Sequence, residues 1–182
     1  MFVVLDESVV PRCCDGCGSS FTPWGYARVR TVRERGGRRR VVRPRRVRCR
    51  GCRVTHVLLP ASLAPRRADS APVILGALLA KAGGRGYRSI AAELSLPAGT
   101  VRGWLRRAAA NAGQARGEAM GLAVQLDPLL GPVAPVGGPL AEALNALGIA
   151  VAAARLRLGP GAGSPAAMTM IIGKSLLRPL RT

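Results

Sequence analysis

Two Cys-x-x-Cys pairs, Cys14-Asp-Gly-Cys17 and Cys49-Arg-Gly-Cys52, constrain this chain more than any other feature. Each pair brings two thiolates close enough to hold one ion, and two pairs complete a tetrahedral four-cysteine site, the closed geometry of structural zinc. The 31 residues between the pairs form a longer spacer than the short-spaced zinc patterns. The site closes if the intervening chain runs out and back as a β-hairpin, which is the layout of a zinc ribbon. Gly18, just after Cys17, permits the tight backbone turn that such a knuckle needs. Cys13 is read as a spare beside the ligands, with a register that uses it in place of Cys14 left open. His56, the sole histidine, is read as structural and not as a ligand. A redox role would need two such motifs in one chain, and no thioredoxin-like βαβ pattern surrounds either.

Charge carries the argument further. The formal net charge is +19, from 28 Lys+Arg against 9 Asp+Glu, and all the basic residues but Lys81 and Lys174 are arginine. Residues 12–107 hold 22 basic and 4 acidic side chains, and residues 108–182 hold only 6 and 3. Codon bias in a GC-rich genome would spread arginine evenly. The concentration in the first half points to a polyanionic partner, with nucleic acid ahead of anionic membrane. No run of about 20 uninterrupted apolar residues reads as a membrane span. The start Met1-Phe2-Val3-Val4-Leu5 is followed by Asp6 and Glu7 and lacks the basic region of a signal peptide. A cytoplasmic location is expected, where the cysteines stay reduced and metal binding explains them better than disulfides.

Along the chain, residues 1–11 read as a short apolar lead, possible strand material, and 12–60 as the zinc ribbon. Gly25–Val32 and Arg39–Arg48 alternate apolar and basic residues around the turn signal Glu34-Arg35-Gly36-Gly37. They predict a hairpin with Val29, Val32, Val41 and Val47 among its apolar positions. Pro44 inside the second run suggests an edge strand or a bulge. Residues 61–69 read as a linker. A helix is expected next, with Asp69 or Ser70 as N-cap, Pro72 in its first turn, Val73, Ile74, Ala77, Leu78 and Lys81 at helical spacing, and Gly83-Gly84 as its stop. Residues 111–182 read as an Ala/Gly/Pro-rich tail with a helix over Pro139–Leu158, a loop over Gly131–Gly138 and a further helical start at Ser164-Pro165 running through Ile172. The expected class is α+β: a small β zinc ribbon, then a mainly helical domain and tail.

Residues 70–110 contain a helix-turn-helix pattern between Tyr87 and Arg106. Ile90, Ala91 and Leu94 face inward from its first helix, Ser95-Leu96-Pro97 makes the turn, and Val101 and Trp104 face inward from its second. A glycine is usual where Ser95 stands, and Gly103 inside the second helix costs about 1 kcal/mol relative to alanine. In this motif the second helix enters the major groove of duplex DNA. Thr100, Arg102, Arg106 and Arg107 are therefore the expected DNA contacts there. Arg102 is placed to read a guanine edge and Arg106 to meet a phosphate. Arg38, Arg39, Arg40, Arg45 and Arg46 of the hairpin are expected to meet phosphates as well.

These motifs together resemble the N-terminal DNA-binding region of insertion-sequence transposases. The resemblance is carried by Cys-x-x-Cys-Gly, the Arg-rich hairpin, Arg-Cys-Arg-Gly-Cys with Thr55-His56 and Leu58-Leu59-Pro60, then Tyr87-Arg-Ser-Ile-Ala and Thr100-Val-Arg-Gly-Trp-Leu-Arg-Arg107. Still closer is a similarity to short zinc-ribbon and helix-turn-helix proteins of high-GC bacteria. It spans roughly residues 12–110 and implies binding of double-stranded DNA. Strand transfer needs three carboxylates around two metal ions. After residue 107 only Glu118, Asp127 and Glu142 are acidic, with no strand scaffold, so no catalysis is expected. The competing readings are a transposase remnant without function and an RNA-binding ribbon, for which six aromatic residues offer little stacking surface. No membrane partner is expected; the oligomeric state is open, a dimer included.

Overall fold

A computed structural model describes residues 2–5, 13–60, 62–159 and 176–177. The protein is α+β: among the described residues, small sheets in the first third are followed by four helices. The strands are β1 (Phe2–Leu5), β2 (Phe21–Tyr26), β3 (Arg30–Arg33), β4 (Arg39–Val42), β5 (Arg45–Cys49) and β6 (Thr55–Pro60). The helices are α1 (Ala71–Ala82), α2 (Tyr87–Glu93), α3 (Ala98–Leu126) and α4 (Pro139–Leu158).

The expected hairpin is present but tiered. β3 and β4 pair antiparallel around a 3₁₀ turn at Arg35–Gly37, forming a two-stranded tip. Below it a four-stranded sheet has the order β1-β6-β5-β2. β5 therefore pairs with β2 and not with the chain just before β4. Pro44 lies between β4 and β5, inside neither, and its carbonyl accepts a bond from the Ala27 N–H at 2.8 Å. A proline lacks the N–H that a continuous ladder would use there, so the second arm divides at this residue. Two of the four expected apolar valines, Val32 and Val47, are buried, while Val29 and Val41 are exposed. β6, which the alternation did not announce, pairs antiparallel with β5 and parallel with the apolar lead β1.

Residues 62–69, the described part of the stretch read as a linker over 61–69, do not behave as a free linker. Leu63 and Ala64 are buried, and Leu63 bridges Ser70 while Arg33 bridges Asp69. Ala64 joins the helical core, so the connection is a packed junction. Ser70 is the N-cap of α1, yet its side chain makes no capping bond; its carbonyl takes the N–H groups of Val73 and Ile74. The Asp69 carboxylate is instead committed to Arg33. Gly83 and Gly84 end α1 as expected, donating to the Leu79 and Lys81 carbonyls.

The helices share one core. Ile74, Leu78, Ile90, Ala91, Val101, Trp104 and Leu105 are buried together. Ser95 sits in the turn between α2 and α3 at φ 53, the left-handed conformation for which a glycine is usual there. The boundary expected at residue 110 is not a break. α3 runs 29 residues through it, because Ala108, Ala112, Ala115, Ala119 and Ala123 recur on one face and are buried. That alanine stripe packs on Ala143, Leu147 and Ala150 of α4, mostly small residues that let two helices approach closely. By length and composition alone α4 would also pass as a membrane span, a test that core helices pass too, and its buried residues belong to the core shared with α3. Glu142, Arg155 and Arg157 interrupt its apolar run without lowering the average enough to exclude it. Leu176 and Leu177 return to this core, with the Asn111 side chain bonding the Leu176 carbonyl at 3.1 Å. The helix expected over Ser164–Ile172 lies outside the described residues.

Candidate metal centre and nucleic-acid interface

The first knuckle folds on itself through backbone bonds. The Gly18 N–H donates to the Cys14 carbonyl at 2.8 Å and the Cys14 N–H to the Ser19 carbonyl at 2.9 Å. Gly18 holds φ 69, as its place after Cys17 suggests. The second knuckle repeats the device with a residue that dislikes it: Arg53, just after Cys52, sits at φ 60. The Cys49 N–H closes this loop on the Val54 carbonyl at 2.9 Å. β2 and β5 bring the knuckles together, Phe21 standing opposite Cys49 in register. At Gly51 they touch. A Cβ there would press on the Ser19 side chain and lie 3.3 Å from the Cys17 Sγ.

The result is a four-sulfur cluster. Cys14, Cys17, Cys49 and Cys52 place their Sγ atoms within 4.8 Å of one another. Cys14 and Cys52 are 3.8 Å apart and Cys17 and Cys49 3.3 Å. Four sulfurs at about 2.3 Å from a central zinc stand about 3.8 Å apart, so the set is positioned to hold a metal ion. Cys14 supplies the sulfur and Cys13 stays exposed outside the cluster. His56 is buried with its Nε2 3.6 Å from the Cys14 Sγ, and Phe21 meets its ring edge-on at 5.0 Å. It stands behind a ligand rather than in the ligand set.

The thiols are poised unequally. The Ser19 backbone N–H, then Cys49, the Ser19 hydroxyl and the Cys52 N–H, lower the Cys17 thiol to about 6. At Cys52 the Val54 N–H pulls downward, but the neighbouring sulfurs and burial outweigh it and raise that thiol to about 11. One thiolate forms readily and further ones repel it. A divalent cation relieves that repulsion for all four.

The basic residues expected to touch DNA divide into free and committed ones. On α3, Arg102 and Arg106 are exposed, one turn apart, while Val101, Trp104 and Leu105 on the opposite face are buried. Thr100 is half-buried, and so is Arg107, which bonds the Gly103 carbonyl at 3.3 Å. At the ribbon, Arg38, Arg39 and Arg45 are exposed and Arg46 is half-buried. Arg40 differs from the sequence expectation. Its Nε lies 2.9 Å from the Glu34 carboxylate and its Nη2 bonds the Ser62 hydroxyl, so it serves the junction. Arg35 and Arg39 line a cleft of about 690 Å³ whose other wall includes Glu93, Ser95 and Leu96 of the helical turn. The ribbon tip and the helix pair therefore border one cavity. Sequence reasoning missed Trp24, which stands 48% exposed with the Arg48 guanidinium 4.6 Å from its ring. Its only signal was an aromatic residue inside the turn-like run Pro23-Trp24-Gly25.

Fold and site define a class: an α+β protein whose ribbon places four cysteines in position to hold a metal ion and docks on a helical domain. Residues 14–108 match the family described as Domain of unknown function (DUF6431). The match covers more than half of the chain, and the protein belongs to that family. No curated protein and no solved structure matches the chain.

Proposed function

We propose that this protein binds double-stranded DNA through its helix-turn-helix, with a structural zinc ion holding the ribbon beside it. The observation that carries the reading is the pair Arg102 and Arg106, exposed one turn apart on the face of α3 opposite its buried side chains. Any surface helix exposes a polar face; here it carries two arginines near the start of the second helix of the pair, the part of the motif that enters the major groove. The net charge concentrated in residues 12–107 and the exposed Arg38, Arg39 and Arg45 supply phosphate contacts. The resemblance to the DNA-binding region of insertion-sequence transposases supports the same reading. Zinc is favoured for the metal because four cysteine sulfurs form its closed structural site. The role is binding and not catalysis, in the reducing cytoplasm, where thiolates remain available to metal.

Few side chains on this face reach base edges, since Ala98, Gly99 and Gly103 offer none. Specificity is modest and rests on Arg102 with Thr100 nearby. A site-selection experiment tests this. Arg102→Ala lowers affinity by about 1–3 kcal/mol on the preferred site and little on random duplex, while Arg106→Ala weakens both alike. An unchanged preferred sequence in Arg102→Ala removes α3 as the reader.

A further inference from the structure

Of the two tryptophans, Trp104 is buried in the helical core and Trp24 is left half in water on β2, the outer strand of its sheet. The ladder tells which face Trp24 belongs to. Thr22 stands opposite Arg48, Arg48 opposite Thr55, and Arg46 opposite Val57. Trp24, two residues beyond Thr22, shares their face, and its ring lies 4.6 Å from the Arg48 guanidinium carbon. None of these six side chains is fully buried. The opposite face carries Val47, Cys49, His56 and Leu58, all buried, next to the four sulfurs. The sheet thus has one face closed around the sulfurs, with Tyr26 and Arg45 exposed at its far end, and one face open along its length.

A bulge between Pro23 and Tyr26, with Gly25 at φ 75, shifts the register so that Tyr26 falls opposite Arg45, on the Val47 side. Trp24 remains as the aromatic residue of the open face among the described side chains. Arg48 stacks on its ring and is itself held by an Nε bond to the Arg53 carbonyl at 3.1 Å. One side of the indole is covered by a guanidinium and the residue remains 48% exposed.

What fits such a face must be planar, able to stack on a π system, and anionic. Base pairs inside a duplex present only their edges, because their faces are stacked on one another. An unpaired nucleotide presents both a free base face and a phosphate. We propose that the open face of β2, β5 and β6 binds single-stranded nucleic acid, one base stacking on Trp24 and the backbone phosphates meeting Arg46 and Arg48. The chemistry recognised is an unpaired base with its phosphate, which DNA and RNA strands share, and the two strands of the test distinguish them. This surface is separate from α3, and the proposal stands without the duplex-binding reading.

The test uses the full-length protein with its metal content measured, an end-labelled oligothymidylate strand, and the matching oligouridylate. Fluorescence anisotropy reads affinity, and tryptophan emission reads stacking, since the buried Trp104 contributes a constant background. The expected result is quenching on addition of oligothymidylate, with affinity falling about 5- to 150-fold in Trp24→Ala and largely kept in Trp24→Tyr. Arg106→Ala leaves that affinity in place while weakening duplex binding. Metal content and circular dichroism of Trp24→Ala equal to the parent's establish that the ribbon is intact. Unchanged affinity in Trp24→Ala, or binding without quenching, overturns the proposal. So does a loss of oligothymidylate binding in Arg106→Ala; the ratio of oligothymidylate to oligouridylate affinity tells which kind of strand the face takes.

Discussion

Arg33 and Asp69 form a two-point ion pair, Nε to Oδ1 at 2.6 Å and Nη2 to Oδ2 at 2.9 Å, across the junction of ribbon and helices. The backbone reinforces it: the Arg33 N–H donates to the Ala68 carbonyl and the Ser70 N–H to the Arg33 carbonyl. Asp69 is buried, and its hydrogen bond and charge raise the Arg33 guanidinium above its ordinary value. The last residue of β3 thus grips the chain just ahead of α1.

Removing one partner leaves the other exposed to the penalty of an unpaired buried charge. Arg33→Ala is expected to destabilise the protein by about 2–3 kcal/mol, less than a fully buried pair because Arg33 is partly in solvent. Asp69→Asn, which keeps shape and loses charge, has the smaller effect. Replacing both with apolar residues recovers part of the loss. Urea unfolding of the single and double variants checks this, and additive losses would show that the two groups are not coupled.

Metal removal is expected to unfold the ribbon before the helices. The sheet buries few large side chains on one face only, so the ion supplies much of its folding free energy. Elemental analysis is expected to find zinc at a single ion per chain in the purified protein, and Cys49→Ser is expected to lose it. Chelation lowers the melting temperature and removes β-signal in circular dichroism while the helical signal persists. Full metal occupancy in Cys49→Ser would show that the four-sulfur cluster is not the site.

On the proposed duplex binding, its salt dependence is expected to separate free arginines from committed ones. Each arginine–phosphate pairing removed lowers the slope of log K against log salt by about 0.9. Arg39→Ala and Arg45→Ala are expected to show that reduction with stability unchanged. Arg40→Ala does the reverse, keeping the slope and losing stability, because its partners are Glu34 and Ser62. Equal slopes for all three variants contradict this division.

Ser95→Gly is expected to stabilise the protein by about 0.5–1 kcal/mol. The left-handed conformation at φ 53 strains any residue with a Cβ, by roughly 1–2 kcal/mol, and glycine's greater freedom in the unfolded chain offsets part of the relief. Thermal melting reads the gain as a rise of a few degrees. A fall in melting temperature would mean that the serine side chain stabilises this turn by more than the strain.

The local features of this fold are written in short stretches of sequence. The two Cys-x-x-Cys knuckles, the glycine after the first, the turn at Arg35–Gly37, the bounds of α4 and the inward-facing residues of α2 and the start of α3 follow from residue type and spacing. Each depends on backbone conformation within a few residues, which chemistry dictates directly. The pairing of β2 with β5, the recruitment of β6 and β1 into one sheet and the extension of α3 along α4 depend on partners far away in the chain. Nothing in Arg33 or Arg40 distinguishes them from the exposed arginines beside them. Asp69 and Glu34 decide their roles, and only folding brings those carboxylates within reach. The same holds for Trp24. Its residue type says that it prefers burial, and its position on an edge strand, at a bulge and beside Arg48, is what leaves it in water. Residue type sets what a side chain can do; the long-range packing that offsets chain entropy sets which of those capacities is left free.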